Sequence, residues 1–276
     1  MRFSSSSNPQ DDRGMQYHIQ CKPGDVARYV LLPGDPERVD VISSFWDERE
    51  EIAYHREFKT HTGKYKGVSI SATSTGIGSP SAVIAVEELA RIGADTFIRV
   101  GSTGAIQPEI SVGDVIISSA AIRLEGTSKD YVRVEYPASA HYEVILALIE
   151  AAETVGVKYH VGITASTDSF YLGQGRPGYG GYEQSFSKNI LHDLRRAKVL
   201  NFEMEASAIF TIANLYGLRA GSIAVVFANR ITDEFEVVSQ EPLARVANEA
   251  VKILYEWDEI KNEKRKKYLY PSLVSK

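Results

Sequence analysis

Short runs rich in Val and Ile alternate along this chain with segments of helical periodicity, and that alternation constrains the fold most. The runs are 29–32, 68–74, 96–100, 115–118, 161–166, 199–202 and 222–227, and most end in Gly, Ser or Thr. Apolar residues recur with helical spacing over 80–92, 141–155, 205–216 and 243–257. Ser79 reads as a helix cap before Pro80, and Gly93, Gly156 and Gly217 stand where helices should stop. Strands alternating with helices build a sheet covered on both faces. The expected fold is therefore α/β: a single domain with a central mixed, largely parallel β-sheet flanked by helices. It should span 15–258, between a polar, disordered segment at 1–14 and a polar, basic tail at 259–276.

Composition then narrows the function. Of the 276 residues, 43% are hydrophobic and 24% charged, which excludes wholesale disorder. The net charge of −5 argues against a nucleic-acid partner. The single cysteine, Cys21, forbids an intrachain disulfide and fits a reducing compartment. No apolar run has the length of a membrane span, and the opening MRFSSSSNPQDDRG lacks a signal-peptide core. A cytoplasmic protein without membrane partners is expected.

Four segments concentrate Gly and Arg near strand ends, where open α/β sheets bind ligands. In PGDPER (33–38), Gly34 lets backbone approach an anion and a helix N-terminus should follow, although an ordinary strand–turn–helix junction fits equally well. In RVGSTGAIQ (99–107), Arg99 lies inside an apolar strand and precedes two hydroxyl residues between glycines, a good oxyanion cradle. HREF (55–58) reads by itself as a solvated face of a strand. STGIGSPS (74–81) is a Gly-rich strand-to-helix turn, but Pro80 and Ser81 break the dinucleotide fingerprint. No P-loop pattern and no zinc-ligand spacing occurs. The Gly-rich stretch 173–182 is the one long internal loop and reads as a specificity loop.

These segments, followed by SVGDV (111–115), TDSFYLGQGR (167–176) and FEMEASA (202–208), stand in the order found in the trimeric/hexameric nucleoside phosphorylases. The chain resembles that family, and within it the uridine phosphorylases, from about residue 17 to about 257. The resemblance implies a nucleoside phosphorylase-like fold and phosphorolysis of uridine to uracil and ribose 1-phosphate. Such chemistry rests on positioning and electrostatics rather than on a protein nucleophile.

Residue by residue, the resemblance implies phosphate binding by Gly34, Arg38, Arg99 and Ser102, the last where the family usually has Thr. Arg56 would reach the phosphate of a neighbouring subunit. Glu203, Met204 and Glu205 would bind ribose, with His18 reaching across a dimer to the 5′-OH. Phe170, Gln174 and Arg176 would bind the base. Arg38, Arg99, Glu205 and Arg176 are the expected catalytic residues. Purine-specific relatives use an Asp after the last core strand; here the segment is Phe227-Ala228-Asn229-Arg230, with no Asp before Asp233. Phe227, Ala228, Leu172 and Gly175 depart from the family around the base. No cofactor is expected, inorganic phosphate being the co-substrate, but Glu57, Ile77 and Ser81 match positions that hold a K⁺ ion between subunits. The expected assembly is a homohexamer built as a trimer of dimers. The competing readings are a purine nucleoside phosphorylase, a nucleosidase using water, and a non-catalytic nucleoside-binding regulator.

Overall fold

The structure, a computed structural model, describes residues 5–274; 1–4 and 275–276 lie outside the described residues, and with them part of the expectations for both tails. One mixed sheet holds eleven strands: β1 (Tyr29–Pro33), β2 (Glu48–His55), β3 (Phe58–Tyr65), β4 (Val68–Thr73), β5 (Thr96–Ala105), β6 (Val115–Arg123), β7 (Ala138–Ser139), β8 (Tyr159–Ser166), β9 (Asn201–Glu203), β10 (Arg219–Asn229) and β11 (Glu234–Phe235). The helices are α1 (Pro36–Ser43), α2 (Ser79–Arg91), α3 (Thr127–Tyr131), α4 (Tyr142–Val155), α5 (Ser185–Lys188), α6 (Ile190–Arg196), α7 (Ala206–Leu215), α8 (Glu241–Glu263) and α9 (Pro271–Val274).

Alternation along β1 shows how the layers arise. Tyr29 and Leu31 join one core with α1, α4 and α8, whereas Val30 and Leu32 join the opposite core with α2 and α7. The sheet is parallel in its middle, where β4, β1, β5 and β10 lie side by side. The β6–β8 and β8–β9 pairs are parallel too, but the other six of the eleven pairings are antiparallel, so the sheet is mixed rather than largely parallel. β5 decides where a ligand can sit. Its first half pairs with β1, the last pair being Pro33 with Val100, and its end pairs with β9 from Gly104 onward. Between these, Gly101, Ser102 and Thr103 pair only with β10 on the other edge. Strands β5, β10, β6, β8 and β9 are joined in turn back to β5, so this half of the sheet closes on itself.

Several sequence expectations are corrected. HREF is not a strand face: His55 ends β2, Phe58 begins β3, and Arg56 sits in the hairpin turn with φ +57°. Ser79 is the first residue of α2 rather than its cap, and its hydroxyl donates to the Met204 carbonyl at 2.8 Å. The 1–14 segment is hydrogen-bonded in its described part. The Asp11 carboxylate accepts from the Arg13 and Met15 N–H groups, each at 2.9 Å, and Gln10 bridges to Gln16. The described part of the 259–276 stretch, up to 274, is no free tail either. Helix α8 runs on to Glu263, and Leu269 and Leu273 are buried in the core beside α4 and α8. Among the described residues no helix is long and apolar enough to cross a membrane.

Candidate active site

A cavity of about 360 Å³ opens where β1 leaves β5 and β9 has not yet joined it, and Arg99, Ser102, Thr103 and Gly104 line it. Three groups of side chains divide it.

At one end stand two arginines. Arg99 Nη2 donates to Glu205 Oε2 at 2.7 Å and Nη1 to the Leu32 carbonyl at 3.2 Å, while Nε is buried without a partner. A Cβ on Gly34 would lie 3.3 Å from both Arg99 terminal nitrogens and 3.1 Å from the Gly76 carbonyl, so any larger residue there would press on Arg99 and on the Gly76 backbone. Arg38, on the first turn of α1, is buried and donates to the Val100 carbonyl at 3.0 Å and, through Nε, to Gln240 Oε1. Burial first, and Arg99 second, push its guanidinium down to about 10, still cationic at neutral pH. Glu205 pairs with Arg99, while among the described residues Arg38 makes no ion pair, which leaves the end net positive and suited to a dianion.

The β9–α7 junction supplies the second group. Glu205 Oε1 accepts from the Gly78 N–H at 2.7 Å, so its carboxylate bridges the α2 turn and Arg99. Glu203 accepts from the N–H groups of Glu205 and Ala206, both at 2.8 Å, and from the Ser166 hydroxyl. It therefore caps the start of α7, and only from there reaches the cavity. Burial, then the charge of Glu205, push the Glu203 carboxyl up. Met204 lines the wall between them.

The third group lies at the opposite end. Arg176 Nη1 donates to Gln174 Oε1 at 2.6 Å and to the Phe170 carbonyl at 2.7 Å, and its guanidinium rests 3.9 Å from the centre of the Phe170 ring. Gly175, with φ +67°, makes the turn that brings Gln174 and Arg176 together. Arg230 donates to the Gln174 carbonyl at 2.9 Å. Burial, then the neighbouring Arg230, lower the Arg176 guanidinium to about 10. Phe202, Phe227, Ala228 and Phe235 give this end apolar walls. The carboxylates lining the cavity, Glu203 and Glu205, both belong to the second group. Asn229 faces away: its amide donates to the Gln107 and Ile110 carbonyls and accepts from the Ile231 and Thr232 N–H groups.

An anion end, an acidic middle and a cationic base-sized end correspond to the segments quoted above, and the profile of the Phosphorylase superfamily matches residues 28–256. The chain belongs to this superfamily. A uridine phosphorylase of Thermococcus kodakarensis is 68% identical over 272 residues, covering 99% of this chain and 98% of its own length. The Escherichia coli uridine phosphorylase is 42% identical over 243 residues, covering 87% and 95%. A guanosine phosphorylase of Halorubrum lacusprofundi is 41% identical over 216 residues, covering 78% and 84%.

Within this superfamily member, not every residue singled out from sequence meets at the cavity. Arg99, Ser102, Phe170, Gln174, Arg176, Glu203, Met204 and Glu205 line it, whereas Gly34 and Arg38 adjoin Arg99 without lining it. Arg56 and His18 do not line it. Arg56 is exposed and donates to the Tyr17 hydroxyl at 3.1 Å, lying over that ring. His18 borders a second hollow along α2, where Glu88 faces its Nδ1 at 2.7 Å and accepts from the His18 and Ile19 N–H groups. Glu57 and Ser81 touch at 2.7 Å, with Ile77 exposed beside the cavity mouth. Sequence reasoning gave no role to Arg230, Phe235, Gln240 or Glu88. Arg230 adjoins the segment weighed for purine specificity, whereas Phe235 reaches the cavity only because two-residue β11 pairs with Ala228.

Proposed function

We propose that the protein is a cytoplasmic uridine phosphorylase that converts uridine and phosphate reversibly into uracil and ribose 1-phosphate. Phosphate lies against Arg38, Arg99, Gly34 and Ser102. One of its oxygens forms the bond to C1′ as the C1′–N1 bond breaks, and the electron pair leaves with the base. Glu205 accepts hydrogen bonds from the ribose hydroxyls and, with Met204, holds the sugar while positive charge develops at C1′. The departing uracil spreads its negative charge onto its carbonyl oxygens, where Gln174 and Arg176 donate.

One observation carries the choice of base. Arg176 and Arg230 stand together at the base end, both engaged there by neutral acceptors, and no carboxylate lines that end. Such a site stabilises an oxyanion and has no acid placed to protonate a purine. The guanosine phosphorylase among the relatives favours a second reading, in which the arginines face the purine carbonyl. Initial rates with uridine, guanosine and inosine, each with and without phosphate, decide between them. Uridine turnover that requires phosphate and exceeds both purine rates is expected. A guanosine preference selects the second reading, and equal uracil release without phosphate selects a hydrolase.

The exposed position of Arg56 and the place of His18 outside the cavity fit sites completed by a neighbour, within a hexamer built as three dimers. The Glu57 carboxylate, the Ser81 hydroxyl and the Ile77 carbonyl are hard oxygen donors suited to a K⁺ ion shared between two copies.

A further inference from the structure

We propose that Gln240 is a positioning residue for the phosphate-binding Arg38, holding it with a neutral acceptor so that its charge stays available to the anion; the inference rests on the phosphorylase reading above. Gln240 precedes the first turn of α8, and Ala244 donates its N–H to the Gln240 carbonyl at 3.0 Å, so the backbone is fixed by a helix of 23 residues. That helix shares a core with α1, through Leu243 and Val246 on one side and Val39 and Ile42 on the other. The relation between Gln240 and Arg38 is therefore set by packing.

The residue type at this position is informative. Helix caps favour Ser, Thr, Asn and Asp, whose short side chains reach the free N–H groups of the first turn. Gln240 makes no such bond, and Ser239 Oγ serves the Glu241 N–H instead at 3.3 Å. The Gln240 amide oxygen turns to Arg38 Nε. With the Val100 carbonyl on Nη1, the guanidinium is held at two points by uncharged oxygens, and its remaining N–H groups stay free. Arg99 differs, because Glu205 already neutralises it. Arg38 feels Asp35 and Glu205 only at a distance and makes no ion pair among the described residues. It thus supplies the unpaired cation of the anion end, and an amide at 240 orients it without placing a carboxylate on it.

The test uses the full-length protein, with Gln240→Glu and the similarly sized Gln240→Met. Calorimetric titration with inorganic phosphate gives Kd, and initial rates give the separate KM values for phosphate and uridine. Gln240→Glu places a carboxylate on Arg38 and should weaken phosphate by about tenfold or more. Gln240→Met removes the acceptor and should weaken it by about threefold to tenfold. Uridine KM should change by less than about twofold in both. Unchanged phosphate affinity in both variants, absence of phosphate binding by the parent protein, or equal shifts in the two KM values overturns the proposal. Tighter phosphate binding by Gln240→Met also overturns it, since the amide would then be occupying the anion's place. Should the parent protein release uracil without phosphate while Kd still follows residue 240, the phosphorylase reading falls and the positioning role stands.

Discussion

Arg99 and Arg176 carry the same group but hold it differently. Arg99 is tied to Glu205, whereas Arg176 is held by an amide oxygen, a backbone carbonyl and an aromatic face. A guanidinium restrained by neutral partners keeps its charge for a developing anion. Arg176→Ala should therefore cost ~2–4 kcal/mol in kcat/KM for uridine, in the range of a lost oxyanion donor. Arg230→Ala should cost less, because Arg230 restrains Gln174 through its backbone. Steady-state kinetics of the two variants check the order, and a larger loss at Arg230 would reverse the assignment. The sequence made Arg176 legible through Gln174, two residues away on one loop. It left Arg230 and Gln240 without roles, because their partners lie 56 and 202 residues distant and no local pattern encodes such meetings.

Elements were legible where one face is apolar and obscure where it is not. β5 and β10 announce themselves by Val and Ile; β2, reading EREEIAYH, exposes most of its residues and shows no such run. The end of α8 and the following turn read as a charged tail, yet they are pinned by buried ion pairs. Asp258 on α8 meets Arg219 of β10 at 2.7 Å, Lys261 at 3.0 Å and the Tyr29 hydroxyl at 2.6 Å, and Lys261 also meets Glu143 of α4 at 2.6 Å. Glu143 in turn accepts the Leu269 N–H at 3.2 Å, which leads the chain to the buried Leu273. Burial alone would raise the Asp258 carboxyl; Arg219, Tyr29 and Lys261 override it and pull it down to about 2. The folded value lies below the ordinary 3.8, so this stabilisation is present above pH 3.8 and is lost as pH falls through about 2. Its size is ~2 kcal/mol from a shift of that order. Asp258→Asn should lower the melting temperature at pH 7 by several degrees, and the gap to the parent protein should narrow as the pH approaches 2. Thermal melts across that range check the sign, and a gap that widens in acid would contradict it. Leu273→Ala should also destabilise, by ~2–5 kcal/mol for a buried leucine.

At the scale of the whole molecule, alternation predicted the layers but not the ring, because β5 meets β9 and β10 across more than 90 residues. What one chain leaves undone is clearer. Its phosphate end holds Arg38 and Arg99, while Arg56 lies exposed on a hairpin turn against Tyr17. If each site takes Arg56 from a neighbour, activity belongs to the dimer, and complementation should reveal it. Arg99→Ala and Arg56→Ala preparations should each be nearly inactive, since either loses a charge from the phosphate cradle. In a mixed dimer the Arg99→Ala chain lends a normal Arg56 to its partner, whose own Arg99 is normal. One site of that dimer is intact, and the other carries both defects. Equal mixing with random pairing makes half the dimers mixed, so roughly a quarter of all sites should regain activity, given twofold interfaces. Native mass spectrometry on chains of distinguishable mass verifies that subunits have exchanged. With exchange verified, recovery near a quarter places Arg56 in the neighbouring site. A mixture that stays inactive confines each site to one chain and leaves Arg56 to the hairpin alone.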